Sequence, residues 1–383
     1  MKRILFVSNW DWVTYNFRYD LAKALKELGH QVIIVCPSGK YIDQFKEDDF
    51  EWIEWKLDRR SLNIFKEIKS FRSLFKILRD ENPDIVHHDT IKPNLYGSLS
   101  IRLLNKFSKK LQNVTCVNSF MGIGYVFSEK TVAKLLRMIV IPLFRYAFNN
   151  ESVTVTFSNK SDRERFIEYK IVEPKQTEVL ISEFVDIEKF PKGKLLNGNK
   201  KDNSFKVILA ARLLWDKGVQ EFVDAAKRLK KQSDDEFEFL LAGEPDEGAP
   251  NFVPIPQLKE WDESGIVNWL GYREDIPELL AESDVAVLPT FYNEGMPRFL
   301  VEAATVGLPI ITTDIEACRL VVKDGENGYL INKKDSKQLA EKLLFLQENK
   351  DIQRSMAARS REKAVKEFDK SKNIKNWLKL YNL

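Results

Sequence analysis

Cysteine and histidine are scarce in this chain of 383 residues, with three of each: Cys36, Cys116 and Cys318, and His30, His87 and His88. Three scattered cysteines build no disulfide framework and suit a reducing compartment. So few ligating side chains also argue against a metal centre, and no bound metal is expected. Long apolar runs are missing too. The greasiest stretch, residues 131–148, is broken by Lys134, Arg137, Pro142 and Arg145, and falls short of the roughly 20 clean residues a membrane span needs. The opening MKRILFVSNWDW holds an apolar run of only four residues, which reads as a first strand and not as a signal peptide. What remains is 44% apolar, enough at this length for two globular domains with cores.

The net charge of +3 hides an asymmetry. Through Leu195, Lys and Arg outnumber Asp and Glu by 32 to 25, and beyond it they are outnumbered, 28 to 32. Much of the excess lies on helical stretches, 59–78 and 131–148, where Leu, Ile and Phe alternate with Lys and Arg. Helices of that kind gain from both apolar insertion and anionic lipid. An anionic membrane surface is therefore an expected partner, a core helix with a solvated basic face being the plainer alternative. Aromatic and basic residues do not interleave as in nucleic-acid readers, so no nucleic acid is expected.

Strand-like and helix-like segments alternate along the whole chain, the pattern of parallel sheets covered by helices. KRILFVSN, QVIIVCP, EWIEWKL, PDIVHH, NVTCVNSF and SVTVTFSN mark the first half. A helix is expected from Phe17 to Leu28, closed by Gly29. The stretch PKGKLLNGNKKDNS, poor in apolar residues, reads as a linker. KVILAAR, FEFLLAGEP, VNWLGY, VAVLPT, PIITTD and GYLI then restart the theme. The expected organisation is a domain over 1–190, a linker over 191–204 and a domain over 205–369. A tail helix over 370–383 is expected to pack back on the first domain. The fold class is α/β, two Rossmann-like domains whose parallel sheets face each other across a cleft.

The stretch VAVLPTFYNEGMPRFLVEAATVGLPIITT (285–313) carries the most chemistry. It reads as strand, loop, helix, strand, which puts the Glu294-to-Arg298 loop at the carboxyl edge of a sheet. Pro297 suits the first helical turn. The amides of that turn, with Arg298, favour a phosphate. Two carboxylates beside a phosphate must reach for hydroxyls: Glu302 for a ribose diol, Glu294 for a sugar beyond the phosphates. In AARLLWDKGVQEF, Arg212 follows a strand and Lys217 opens a helix at the same sheet edge, suited to a leaving diphosphate. The plainer alternative pairs them with Asp216 and Glu221. Gly243, after another strand, and Tyr272 with Arg273, after a third, are candidates to hold a base. His88 and Asp89 follow the strand PDIVH and are placed to line a cleft.

These motifs together, AARLLWDKG, GEPDE, WLGYREDIPELL and NEGMPRFLVEAATVGLPIITTD, with PDIVHHDTIKPNLYG, MGIGYVF and VTFSN upstream, resemble the retaining GT-B glycosyltransferases of family four. The resemblance is to the branch acting on polyprenyl-diphosphate-linked glycans in capsule, O-antigen and glycan-precursor synthesis. It implies a metal-independent enzyme without a cofactor, using a UDP-sugar donor and a lipid-linked saccharide acceptor. It implies a cytoplasmic protein, peripheral on the inner face of a bacterial plasma membrane. By position it assigns Arg212, Lys217 and Glu294 to catalysis, and the diphosphate to Arg212 and Lys217. The ribose goes to Glu302, the transferred sugar to Glu294, and phosphate and sugar oxygens to the backbone of Gly295, Met296, Pro297 and Arg298. Asn9, Arg18, Lys92, Asn94, Gly122 and Gly124 are the acceptor-side candidates. The chain departs from many relatives in its first loop, SNWDWVTYNFR, in Met121, near where a His is common, and in Asp89, where relatives have His. A nucleotide-sugar epimerase or hydrolase on this scaffold is the alternative enzyme, and a non-catalytic nucleotide-sugar-binding protein the alternative outside enzymology.

Overall fold

The computed structural model describes residues 1–59, 61, 63–108, 111–127, 131–197, 204–231, 237–249, 251–292 and 295–383. The contacts divide the chain into two compact units. Unit 1 comprises Met1–Ser182, Asn293–Gly295 and Ser371–Leu383; unit 2 comprises Glu183–Tyr292 and Met296–Lys370.

Unit 1 holds seven strands: β1 (Arg3–Ser8), β2 (Gln31–Cys36), β3 (Glu51–Glu54), β4 (Ile85–Asp89), β5 (Thr115–Phe120), β6 (Val153–Phe157) and β7 (Thr177–Val179). They lie in the order β3-β2-β1-β4-β5-β6-β7, every pair parallel. Unit 2 holds six: β8 (Phe205–Ala210), β9 (Phe237–Ala242), β10 (Asn268–Gly271), β11 (Val285–Leu288), β12 (Ile310–Thr313) and β13 (Gly328–Ile331). Their order is β10-β9-β8-β11-β12-β13, again all parallel. Central strands such as β4 and β11 are buried at every residue, as helix-covered parallel sheets require. Each sheet reverses its direction of growth once, between β1 and β4 in unit 1 and between β8 and β11 in unit 2. Each therefore has one switch point.

In unit 1 the Thr131–Phe148 helix drives Phe144, Ala147 and Phe148 into the core, where Phe120, Phe157 and Phe166 join them in ring contacts. The segment Ser371–Leu383 counts with unit 1. Its Trp377 and Tyr381 are fully buried, and Trp377 Nε1 donates to the Ile181 carbonyl at 3.1 Å.

Beneath them lies a buried polar cluster. Arg18 and Asp89 have no exposed surface and pair at 2.8 Å, with Arg18 Nε at 3.0 Å from a carboxylate oxygen. The guanidinium lies 4.7 Å from the centre of the Trp377 ring. His87 Nε2 meets Ser119 Oγ at 2.6 Å, and His87 Nδ1 meets the Tyr381 hydroxyl. Burial and the neighbouring Arg18 charge hold the His87 imidazole well below its ordinary range; burial pulls His88 down to about 3.

Two local expectations are corrected. Residues 11–29 form two helices, Asp11–Phe17 and Tyr19–Glu27, where one helix from Phe17 was expected. The break falls at Arg18, whose backbone leaves the helical region (φ −124°, ψ −11°). Within the stretch expected as a linker, Lys194–Asn197 form a short helix and Gly193 N–H donates to the Val306 carbonyl at 2.9 Å. The reason is electrostatic: the Lys194 ammonium reaches the buried Asp284 carboxylate at 2.8 Å, so a residue that looks solvated belongs to unit 2. Residues 198–203 lie outside the described residues.

Two buried neutral histidines set a pH dependence. Their folded pKa values lie below the ordinary value, so below about pH 6.5 the unfolded chain binds protons that the folded chain does not. Stability is expected to fall with decreasing pH by about 1.4 kcal/mol per pH unit for each of His87 and His88, read as a shift of the urea midpoint between neutral and mildly acidic pH.

Candidate active site

The switch point of unit 2 gathers most of the expected donor-side residues. The chain leaves β8 at Ala210 and folds back, with Leu213 N–H on the Glu244 carbonyl and Trp215 N–H on the Asn251 carbonyl, each at 2.9 Å. Trp215–Lys217 make a turn of 3₁₀ helix that ends at Gly218, φ 81°. A Cβ on Gly218 would lie 2.3 Å from the Pro289 carbonyl oxygen, so only glycine permits this approach to the loop after β11. Phe291 N–H and Thr290 Oγ1 both donate to the Asp216 carbonyl, at 2.9 and 3.1 Å. The two loops are thus joined through backbone. Lys217 is fixed beside the join, its ammonium 5.2 Å from the centre of the Tyr292 ring.

Of the two acids in the plainer alternative, one bonds a neighbouring amide and the other is buried. The Asp216 carboxylate accepts from Asn251 Nδ2 at 2.7 Å. Glu221 is buried in the first turn of the Val219–Lys230 helix with Oε2 unpartnered, and burial raises its carboxyl above the ordinary value. Arg212 instead meets an acid that sequence reasoning did not single out, Asp246 in the loop after β9, at 3.1 Å; almost half of the arginine side chain is exposed. The signal was present in AGEPDE, an acidic turn following a strand.

The Arg298–Val306 helix follows the loop after β11, buries all but two of its residues and stops at Gly307, φ 86°. Pro297 is the residue before the first helical one, so its carbonyl accepts from Leu300 N–H at 3.0 Å. It stands one position earlier than expected, because this carbonyl closes the first turn. Pro297, the residue before the first turn, offers no side-chain cap, and the positive end of the helix favours an anion. Arg298 and Glu302, expected to act separately on phosphate and ribose, bind each other one turn apart at 2.8 Å. The pair leaves the second Glu302 oxygen outside that bond. Glu294 and Asn293 lie outside the described residues. Met296 is buried. Gly295 counts with unit 1, where its carbonyl accepts from Asn159 Nδ2 at 3.2 Å and a Cβ would come within 2.4 Å of the Met121 carbonyl carbon.

Gly243 is more than a turn residue. At φ 132°, its N–H donates to the Gly271 carbonyl at 2.7 Å, and a Cβ would lie 1.9 Å from the Ala211 carbonyl oxygen. Close packing of the loops after β8, β9 and β10 depends on it. Tyr272 is half exposed beyond β10. Arg273 folds onto Asp275 instead, with Nε at 2.7 Å and a second bond to the other oxygen. The ion pair draws this exposed guanidinium away from the base-holding role expected of it.

Three acceptor-side expectations in unit 1 are corrected. Arg18 is sealed in its pair with Asp89, because the break after the first helix turns it inward. Lys92 spends its three donors on the Asp58 and Ser61 carbonyls and on Glu67, at 2.8–2.9 Å. Asn94 is fully buried and donates to the Ser119 carbonyl at 2.9 Å. Asp89, placed with His88 to line a cleft, is buried with it. Asn9, just past β1 at the switch point of unit 1, keeps a shielded side-chain oxygen without a partner. Gly122 and Gly124 hold left-handed backbone, φ 111° and 62°, after β5. Among the described residues no group of three or more His, Cys, Asp or Glu is arranged to hold a metal ion. Burial pushes the Cys36 and Cys116 thiols up to about 12, so neither is a nucleophile near neutral pH.

Two parallel-sheet units of this topology define the GT-B fold, and solved structures agree. HepE from Anabaena, determined in complex with UDP, superposes over the whole of both chains with a TM-score of 0.79 at 18% identity. The family described as glycosyl transferases group 1 matches residues 194–363, and that described as glycosyl transferase 4-like matches residues 3–159. An N,N'-diacetylbacillosaminyl-diphospho-undecaprenol alpha-1,3-N-acetylgalactosaminyltransferase of Campylobacter jejuni is 30% identical, over 99% of this chain and 98% of its own. A UDP-Gal:alpha-D-GlcNAc-diphosphoundecaprenol alpha-1,3-galactosyltransferase of Escherichia coli is also 30% identical, over 91% and 88%. The chain belongs to the group 1 glycosyltransferases.

The crowding at Gly243 gives a direct check. Gly243→Ala combines a disfavoured φ with a backbone clash and should cost roughly 2 kcal/mol or more of stability, measured by urea unfolding. Gly265→Ala, at φ 68° with nothing within 4 Å, should cost less.

Proposed function

We propose that this glycosyltransferase moves a hexose or N-acetylhexosamine from a UDP-sugar to a polyprenyl-diphosphate-linked saccharide, retaining the anomeric configuration. Its place is the synthesis of a bacterial surface polysaccharide such as capsule or O-antigen. One observation carries this reading. Two relatives matched along almost the entire chain are named for undecaprenyl-diphosphate acceptors and alpha linkages. The cations and the helix N-terminus at the unit 2 switch point supply what a leaving UDP needs.

Transfer breaks the bond between the anomeric carbon and the diphosphate oxygen and leaves negative charge on UDP. Lys217 and Arg212 take that charge. Each full charge at about 4 Å contributes on the order of 4 kcal/mol at an effective dielectric of roughly 20, enough to act without a metal. Arg212 must exchange Asp246 for the diphosphate, and its exposure leaves it free to swing. The amides at the start of the Arg298–Val306 helix, with the Gly295–Pro297 backbone, receive phosphate and sugar oxygens. Glu302, steadied by Arg298, takes the ribose hydroxyls; Tyr272 covers the base; Glu294 holds the transferred sugar. Retention follows if the acceptor hydroxyl attacks on the face the diphosphate leaves, passing its proton to a departing phosphate oxygen. Asn9, Gly122 and Gly124 are the remaining acceptor-side candidates. The enzyme works on the inner face of the plasma membrane, drawn there by the basic helices of unit 1.

Incubation with a panel of UDP-sugars and a lipid-linked acceptor extract, with UDP release as the readout, tests the reaction. Release that requires acceptor is expected. Donor conversion without acceptor would mean an epimerase or hydrolase, and no turnover would mean a binding protein. Lys217→Ala and Arg212→Ala should each lower kcat by roughly 10²-fold with unfolding midpoints unchanged; full turnover in the double variant would refute the site.

A further inference from the structure

The first loop of unit 1, SNWDWVTYNFR, carries two tryptophans that the proposed reaction leaves unused. Trp10 and Trp12 stack, with ring centres 5.1 Å apart and planes 24° apart, and Phe17 meets Trp12 edge-on at 5.5 Å. The Arg59 guanidinium, in the loop after β3, lies 4.2 Å from the Trp10 ring centre. This plate stands at the carboxyl end of β1, where the sheet reverses its growth and where open α/β sheets bind ligands. Its backbone is fixed. The Trp10 carbonyl accepts from Ser8 Oγ at 2.9 Å and from Val13 N–H at 3.0 Å, and the Trp12 carbonyl from Asn16 Nδ2 at 2.9 Å. Asp11, between the two in sequence, is buried and takes Tyr41 N–H at 2.8 Å. A Cβ on Gly39 would lie 2.3 Å from an Asp11 carboxylate oxygen, so the loops after β1 and β2 are tied closely together.

The rim of the plate is polar and without partners. The other tryptophans of unit 1, Trp52, Trp55 and Trp377, each give their indole N–H to a backbone carbonyl, at 3.2, 3.0 and 3.1 Å. Those of Trp10 and Trp12, both partly buried, donate to no group among the described residues. Asn9 Oδ1, one residue before Trp10, is shielded from solvent and likewise accepts from none.

We infer that the Trp10–Trp12 plate holds a pyranose ring of the acceptor, its C–H face against the indoles and its hydroxyls on the indole N–H groups and Asn9 Oδ1. The inference rests on the reading that the acceptor is a saccharide, and it names the residues that hold it. The mixture of groups selects the occupant. Indole offers an electron-rich plane with a donor at its edge. A pyranose offers weakly positive C–H groups on one face, with hydroxyls that donate and accept around its rim. A lipid chain would cover the rings and leave two N–H groups and a carbonyl oxygen desolvated and unpaired, which is costly. A diphosphate would take the N–H groups, repel Asn9 Oδ1 and gain nothing from the planes. Because the loop is tied before a ligand arrives, binding orders little of it.

Saturation-transfer NMR on the full chain, with methyl α-glucoside, methyl α-galactoside and the matching N-acetylhexosaminides and no donor, tests this. At least one glycoside should receive saturation, strongest at the C–H protons of one ring face, and excess UDP should leave that signal in place. Trp12→Ala should weaken the binding by roughly tenfold. Trp12→Phe, which keeps a plane and loses the N–H, should weaken it by about threefold. Asn9→Ala should weaken it by roughly fivefold with a urea midpoint no lower than that of wild type, since the atom removed has no partner to lose. Phe107→Ala, at an exposed ring of unit 1 outside the loop, should change nothing. Absence of saturation on every glycoside, equal affinity in wild type and in the Trp12 and Asn9 variants, or loss of the signal on adding UDP would each overturn the inference. Acceptor-dependent UDP release with an unchanged acceptor KM in Trp12→Ala would overturn it too and leave the reaction reading standing. Glycoside binding through Trp12 in a protein that releases no UDP would sink the reaction reading and leave the plate as a saccharide site.

Discussion

The two loops proposed to hold the donor in unit 2 are joined through one shared acceptor, the Asp216 carbonyl, which takes hydrogen bonds from Phe291 N–H and Thr290 Oγ1. Through it the loops after β8 and β11 become one piece of backbone at the point where the sheet reverses its growth. Gly218 allows the approach because a side chain there would strike the Pro289 carbonyl. Charges mounted on a joined backbone need no reorganisation when the leaving group develops its own charge, and that is where electrostatic catalysis gains most. Lys217 sits on this joined piece, and the Arg298–Val306 helix starts a few residues beyond it. Position, more than the number of cations, is what the architecture supplies.

Unit 1 uses its charge differently. Taking Arg18 and Asp89 out of water carries a desolvation penalty that their attraction offsets only with good geometry and further hydrogen bonds. Those bonds are present, to the Phe17 carbonyl and Ser182, and Trp377 covers the guanidinium. Burial, helped by the Arg18 charge, keeps His87 neutral, so that its two ring nitrogens can serve Ser119 on one side and Tyr381 on the other. The result is a socket that accepts the C-terminal helix in one register, since Trp377 and Tyr381 lie one turn apart on it.

Most of the framework was legible because parallel strands covered on both faces must be apolar almost without interruption, and IVHH, VAVL and IITT stand out for that reason. The loops after β8 and β11 were legible as turns at a sheet edge because a strand followed by Gly, Pro and a charged residue leaves few backbone options. What could not be read were pairings between residues distant in sequence. Arg18 looked like a ligand because its partner is Asp89, far along the chain; Lys92 looked free because its three acceptors lie in another loop and on the helix that follows it. Lys194 looked like linker because Asp284 sits beneath it. In each case a charge was correctly found and wrongly given to solvent or substrate. Pro297 missed by one position, as helix boundaries do.

The same accounting shows where a chain with a net charge of only +3 keeps its cations. Arg18, Lys92 and Lys194 are consumed internally, and Arg273 and Arg298 are held by carboxylates two and four residues away. Other cations stand at one sheet edge, Lys217 beside the Tyr292 ring and Arg212 on Asp246, and others on the outer helices of unit 1, Arg145 on the Tyr169 carbonyl and Arg102 over the Tyr146 ring. At physiological salt an exposed charge is felt over about 8 Å, so neither group owes its field to the whole-molecule charge. Each acts only on what touches it. Two groups of cations on one nearly neutral protein therefore act independently of each other.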